Sequence, residues 1–330
     1  MKYRSLICLL IAALFSASCE KENGTAVHSR YIRFNASVNA ALEYEVKSTK
    51  AGEGKFAEGT HNMGLWLCNP SNSPILPEFA NTKVEYTVNP DNSESWKFYG
   101  GNRVWEDAIP VDDAREINIY SYYPYDKNVE DITAIPFSSG TKNYFYSEPV
   151  KFTEEVTDAD EVTVELKYKP IMTTCIEVAV RANVDSAIVM NSLTLTDTTG
   201  ANIAAKGTYS AITGKVLPSG EEMVESVSYT SEEGLLLTTG KDTPVVSFII
   251  PKYENYDGNF KLSFKFNGVD GLTEYIIPKR IAAGTDGSLK EGKKYIITLQ
   301  LNEAMKFKAV EFKTVDDWND GVVENDIVIE

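Results

Sequence analysis

The stretch Tyr31–Val38, YIRFNASV, puts Ile32, Phe34, Ala36 and Val38 at every second position, with Arg33, Asn35 and Ser37 between them. Side chains of an extended chain alternate between two faces, so this spacing predicts a strand with one apolar and one polar side. The same period recurs downstream. KVEYTV alternates Val84, Tyr86 and Val88. EINIYSYYPY sets Ile117, Ile119 and Ser121 against Asn118, Tyr120 and Tyr122. KLSFKF repeats it with Leu262, Phe264 and Phe266, and KKYIITLQL and MKFKAVEF continue it. Val, Ile, Thr and Tyr dominate these runs, as suits a pleated, half-buried surface.

Between them lie NPSNSPILP, NPDNS, FYGGNR and PKYENYDGNF, rich in the residues that make turns for steric and hydrogen-bonding reasons. No long amphipathic helix is written anywhere. The reading is an all-β chain of packed sheets, in sandwiches or barrels. A seam falls at TEEVTDADEV, Thr153–Val162, which is acidic and lacks apolar periodicity. It places a domain boundary at about residue 160, giving an N-terminal domain over 31–160 and a C-terminal one over 161–330.

Working back from Tyr31, residues 19–30 form a polar leash, and residues 1–18 have a different character. Lys2 and Arg4 precede an apolar run, Leu6–Phe15, which at about ten residues is half of what a membrane-spanning helix needs. The small residues Ser16, Ala17 and Ser18 follow, in the layout of a secretory signal. Cys19 stands directly behind them. The arrangement resembles the lipobox of bacterial lipoproteins, in which that cysteine is acylated and becomes the first residue. Ser16 holds the place usually taken by Leu. The competing reading is an ordinary signal peptide with an incidental cysteine; Cys19 is taken here as the lipidation site.

The 330-residue chain carries a formal charge of −16, and losing Lys2 and Arg4 with the signal leaves 30 basic residues against 48 acidic ones. Nucleic-acid binding needs clustered Lys and Arg, and no basic stripe occurs, so nucleic acid is excluded as a partner. About 310 residues remain, enough for two domains. Cys8 departs with the signal, and Cys68 and Cys175 sit in apolar runs as two buried thiols or, in an exported protein, as a disulfide.

Catalytic chemistry is sparsely represented. His28 falls in the leash and His61 in a polar loop, EGTHNMG, neither with a partner at metal-ligand spacing. No nucleophile elbow or phosphate loop is present. Acidic pairs such as Asp112–Asp113 and Asp316–Asp317 lie on segments that send neighbours to opposite sides, which disfavours a glycoside hydrolase. DADE, Asp158–Glu161, lacks the glycine and distal glutamate of a calcium-binding hand. No enzyme, cofactor or metal is expected. SWKFYGGNRVWED gathers Trp96, Phe98, Tyr99 and Trp105. Buried, they are core; exposed in a row, they are a sugar-stacking platform.

Taken in order, the leash, YIRFNASV, STKAGEGKF, MGLWLC, VWED, INIYSYYPYD and VDDWNDG resemble the fimbrillin family, the lipoprotein-derived pilins with their anchor and tip relatives. The resemblance implies two transthyretin-like β-sandwich domains in tandem and carriage to the outer membrane as a surface-exposed lipoprotein. It implies removal of the first strand by a trypsin-like, often arginine-specific protease. The vacated groove is then filled by a strand from another fimbrial subunit, the mode of strand addition. On this sequence Ile32, Phe34, Ala36 and Val38 become the inward face of the removable strand, and Lys50–Ala51 the processing site. A lysine stands there where the family pattern has arginine, while Arg30 and Arg33 lie before or within the strand. The tail residues Ile327 and Ile329 are a candidate donor strand, or else part of the domain's own last strand. The expected role is a structural stalk, anchor or tip subunit contributing to adhesion. The alternative is a surface lipoprotein that binds host or bacterial glycans through the aromatic platform.

Only a thiol can form the lipid thioether, so Cys19→Ala should abolish acylation, read as loss of labelled fatty acid from the protein in growing cells.

Overall fold

The computed structural model describes residues 31–38, 56, 58–99, 116–153, 161–200, 203–219, 223–250, 260–277, 292–316 and 322–327. Among them the chain is all-β, with a single 3-10 turn at Pro77–Phe79 and no α-helix.

Nine strands come first: β1 (Tyr31–Val38), β2 (Gly59–Cys68), β3 (Thr82–Val88), β4 (Glu94–Phe98), β5 (Glu116–Tyr123), β6 (Ile135–Ser138), β7 (Phe145–Ser147), β8 (Val150–Thr153) and β9 (Glu161–Pro170). All but β6 form one eight-stranded sheet in the order β1-β9-β7-β5-β2-β3-β4, with β8 also paired to β5. The pairing of β1 with β9 is parallel, Tyr31 opposite Glu161 through Val38 opposite Tyr168. Strand β3 shows the alternation of its sequence directly: Thr82, Val84, Tyr86 and Val88 are buried, and Lys83, Glu85 and Thr87 half-buried.

Two turns in this sheet are near twins. Asn69–Ser73 reads NPSNS and Asn89–Ser93 reads NPDNS. In each the first Asn N–H donates to the Ser carbonyl at 2.9 Å, and the second Asn sits at positive φ, 63° at Asn72 and 62° at Asn92. Asn tolerates that left-handed conformation better than other side-chain-bearing residues.

Both faces of β2 and β5 are buried. One core gathers Met63, Leu65, Leu67, Ile117 and Ile119 with Val84, Val164, Leu166 and Tyr168. Across it the two ends of the strand order meet, with the Phe34 ring of β1 6.0 Å from Trp96 and 5.3 Å from Phe98 of β4. The other core holds Trp66, Cys68, Tyr120 and Tyr122. Its cover comes from later in the chain.

The remaining strands are β10 (Thr174–Asn183), β11 (Ile188–Asp197), β12 (Ile203–Ala204), β13 (Lys206–Tyr209), β14 (Val216–Pro218), β15 (Met223–Val224), β16 (Ser226–Leu237), β17 (Asp242–Ile250), β18 (Phe260–Phe266), β19 (Thr273–Ile277), β20 (Lys294–Asn302), β21 (Phe307–Asp316) and β22 (Val322–Ile327). Sheet β17-β10-β20-β21-β22 and sheet β16-β11-β18-β19 share a core that includes Ile176, Val178, Leu193, Leu195, Phe264 and Leu299. As in the first sheet, one pair is parallel, β10 with β20. β12 pairs with β15. The β13–β14 hairpin reaches back to pair with β6 of the first half and places Tyr209 and Val216 in the core over Trp66 and Tyr122.

The boundary expected at about residue 160 therefore needs correction. Residues 154–160 lie outside the described set, but β9, which follows them, pairs with β1 and β7 and completes the first sheet. Its Val164, Leu166 and Tyr168 belong to the first core, and the second set of strands begins at Thr174. The loss of periodicity in the acidic stretch marks a connection inside the sheet order, not the end of a domain. Cys68 and Cys175 are reduced thiols buried in different cores, and burial pushes the Cys68 thiol up to about 11.

The two-faced burial of β2 rests on one close approach. A Cβ on Gly64 would stand 2.0 Å from Tyr122 Cε1. That ring cannot step aside, because Tyr122 is fully buried and its hydroxyl donates to Asn81 Oδ1 at 2.7 Å. Gly64→Ala should destabilise the protein by about 1–3 kcal/mol through overpacking, seen as a lower urea midpoint at unchanged slope.

Candidate functional site

Among the described residues strand β1 has a single neighbour, β9, and so forms an edge of the eight-stranded sheet. Within it Phe34 is 2% and Ala36 6% exposed, Asn35 is exposed and Ser37 half-buried. Backbones place Ile32 opposite Val162 and Val38 opposite Tyr168, and the side chains of these two residues lie outside the described set. The seat of Phe34 is the aromatic lining of the first core. Trp96 and Phe98 flank it, and Trp96 continues to Tyr86 at 4.6 Å between ring centroids. Phe56 makes edge contacts with Tyr86, Tyr168 and Phe145 in the same core.

Full burial of a Phe side chain contributes about 1.5–3 kcal/mol, beyond the main-chain ladder that β1 shares with β9. An edge strand so held stays in place unless another strand competes for the same ladder and the same seat. Removing it would leave every other strand pairing of the sheet intact, since β1 bridges no two neighbours.

At the other end of the described chain β22 pairs, among the described residues, only with β21, antiparallel, and is an edge strand too. Ile327 lies opposite Phe312, and Ile329 lies outside the described residues. The stretch MKFKAVEF is mostly β21, whose Phe312 is fully buried in the second core and whose neighbours are β20 and β22. Cys19, Lys50 and Ala51 lie outside the described residues, as do Trp105, His28 and the DADE acids before Glu161.

Among the described residues the aromatic platform does not form an exposed row, and Trp105 lies outside them. Trp96 and Phe98 are half-buried and packed against the core. Tyr99 is 44% exposed, but the Lys83 and Lys97 ammonium groups lie 4.4 and 5.1 Å from its ring centroid. Its hydroxyl donates to Glu85, and Lys83 donates to the same carboxylate at 3.1 Å. The Tyr99 bond first, and the Lys83 bond second, hold Glu85 below its ordinary value.

His61 proves to lie in β2, not in a polar loop. Its ring packs 4.9 Å from Phe56 and 5.7 Å from Tyr123. Among the described residues no group of three or more His, Cys, Asp or Glu is placed to hold a metal ion. Among them too, no helix is long and apolar enough to cross a membrane.

A family model described as fimbrillin-like matches residues 49–318, beginning beyond β1 and ending before β22. Among solved structures the chain is similar to three candidate cell adhesion proteins. That of Bacteroides uniformis is 13% identical with a TM-score of 0.56, over 88% of this chain and 99% of the other. That of Bacteroides ovatus is 12% identical with a TM-score of 0.54, over 92% and 99%. That of Bacteroides fragilis is 11% identical with a TM-score of 0.53, over 87% and 97%. At these identities the likeness is one of fold. No curated protein matches the chain.

If Phe34 holds β1 in place, Phe34→Ala in the uncut chain should cost about 3 kcal/mol by denaturant unfolding, whereas Asn35→Ala should stay within about 0.5 kcal/mol.

Proposed function

This chain belongs to the fimbrillin-like family, and from that premise we propose that it is a structural, non-enzymatic subunit of cell-surface fimbriae, joined to its neighbours by strand exchange and contributing to adhesion. The observation that carries this reading is the placement of β1. It is an edge strand with one partner, and it buries Phe34 and Ala36 in a seat lined by Trp96 and Phe98. Cleavage at Lys50–Ala51 frees its covalent link to β2. An incoming strand then takes over the ladder on β9 and fills the vacated seat, main-chain bonds giving affinity and alternate side chains giving register.

Two tandem sandwich units, 31–170 and 174–327, are the natural division of the molecule, with β13–β14 lent by the second to the first. Until the cleavage at Lys50–Ala51 and the release of β1, acylation at Cys19 would tether the subunit to the outer membrane on the leash of residues 19–30. β22, with Ile327 and Ile329 at its end, is the candidate donor because it too sits at a sheet edge and is held by one neighbour. Its partner is the β9 edge of another copy or of a related subunit.

Trypsin applied to soluble protein beginning at Glu20 should cut at Lys50 or Lys55 and then yield ladders of multimers on incubation. Changing both Ile327 and Ile329 to Asp should abolish the ladders, because strand addition cannot recover the penalty of an unpartnered buried charge. Ladders that persist in that variant move the donor to another strand. Nicked protein that stays monomeric at high concentration rejects strand exchange for this chain.

A further inference from the structure

A groove of about 860 Å3 opens where the two halves of the chain join. Its floor is the outer face of the β6–β13–β14 sheet, where Ser138 lies opposite Lys206, Pro136 opposite Thr208 and Thr208 opposite Leu217. One wall is the loop Pro124–Asn128. Asn81 Nδ2 fixes that loop by donating to the Asp126 and Val129 carbonyls, both at 2.9 Å, and Tyr125 N–H donates to the Asn62 carbonyl at 2.8 Å. Lys142 and Tyr144 also line it, with the Lys142 ammonium 5.4 Å from the Tyr144 ring centroid. The volume is that of a small-ligand site, and its walls are formed in advance.

The charge of the groove runs against that of the molecule. In a chain of net −16, the exposed Lys127 and Lys142 line it beside Lys206, which already has a partner, and Asp126 is the single acid among the described lining residues. Asp126 Oδ1 is already engaged by the backbone and side-chain nitrogens of Asn128, at 2.9 and 3.0 Å. Cations gathered in a concave site within an otherwise acidic surface concentrate anions there.

We propose that this groove binds an acidic saccharide chain. The Lys127 and Lys142 ammonium groups meet its acid substituents, and Ser138, Thr208 and Ser219 meet its hydroxyls. Leu217, 68% exposed, and the prolines of the floor present hydrocarbon to the faces of the sugar rings. An acidic peptide fits less well. Extended peptides are held by a ladder of backbone donors, and Pro136 in β6 and Pro218 in β14 have none to give. The site stands apart from Trp96, Phe98 and Tyr99 and does not depend on strand exchange.

The test is calorimetric titration of the soluble chain with tetragalacturonate and with a heparin tetrasaccharide, with cellotetraose and tetra-aspartate as controls. At least one acidic saccharide should bind saturably at a single site, more weakly at high salt. The double variant Lys127→Gln/Lys142→Gln should weaken that binding about tenfold with an unchanged circular dichroism spectrum, because both side chains are exposed. Binding of galacturonate alone identifies carboxylate as the recognised group, and binding of heparin alone identifies sulfate. The proposal is overturned if neither acidic saccharide binds at about 1 mM. It is equally overturned if the double variant binds as tightly as the parent, or if tetra-aspartate or cellotetraose binds as well as the acidic saccharides.

Discussion

Strands β2 and β5 are apolar on both sides, and a sheet with two apolar faces needs two covers. Everything else in the first half of the molecule answers that requirement. One face closes because the strand order brings β1 and β4 together, Phe34 against Trp96 and Phe98. The other closes in two steps: Val129, Ile132, Ile135 and Phe137 come from the segment after β5, and β13 and β14 arrive from the second half to add Tyr209 and Val216 beside Trp66 and Tyr122. Strands buried on both faces are a feature more usual of parallel sheets covered by helices. Here strands and the segment after β5 supply the covers, so the chain must cross between its halves to complete one of them.

This double demand explains what the sequence disclosed and what it withheld. The period of two in KVEYTV identified β3 and its buried face, because β3 has one core side and a partly wetted side. The same period in EINIYSYYPY set Ile117, Ile119 and Ser121 against Asn118, Tyr120 and Tyr122, yet all six are buried. Ser121 makes that tolerable by donating from Oγ to the Gly64 carbonyl at 2.9 Å and accepting its place beside the Tyr168 hydroxyl at 2.5 Å. Part of the cover, β13 and β14, lies some eighty residues downstream, and nothing local in the sequence announces it. The misplaced boundary has a related origin. Composition changes abruptly at the acidic stretch, but sheet membership is decided by pairing partners, and β9 finds its partners in β1 and β7.

The candidate site was legible in a different way. Alternation alone marked Phe34 and Ala36 as one face of a strand, and the structure buries both. That β1 occupies an edge, with a single neighbour, is a matter of topology that no local pattern encodes. The cluster of Trp96, Phe98 and Tyr99 was open to two readings for want of the same information. Its two inward rings complete the seat of β1, and its outward ring is occupied by Lys83 and Lys97. The lysine groove escaped notice because Lys127 and Lys142 flank β6, and Lys206 joins them only through the pairing of β6 with β13.

The parallel register of β1 on β9 also sets the mechanics of the molecule. In a parallel pair the start of one strand and the end of the other lie at opposite ends of the ladder, here Tyr31 and Pro170. Tension between the N-terminal side of β1 and the body that follows β9 therefore runs along the strands. Every hydrogen bond of the ladder is loaded together, in shear, and none can be opened singly like the teeth of a zip. A chain held at its front end and pulled by flow from beyond its first sheet would meet that load in its most resistant direction.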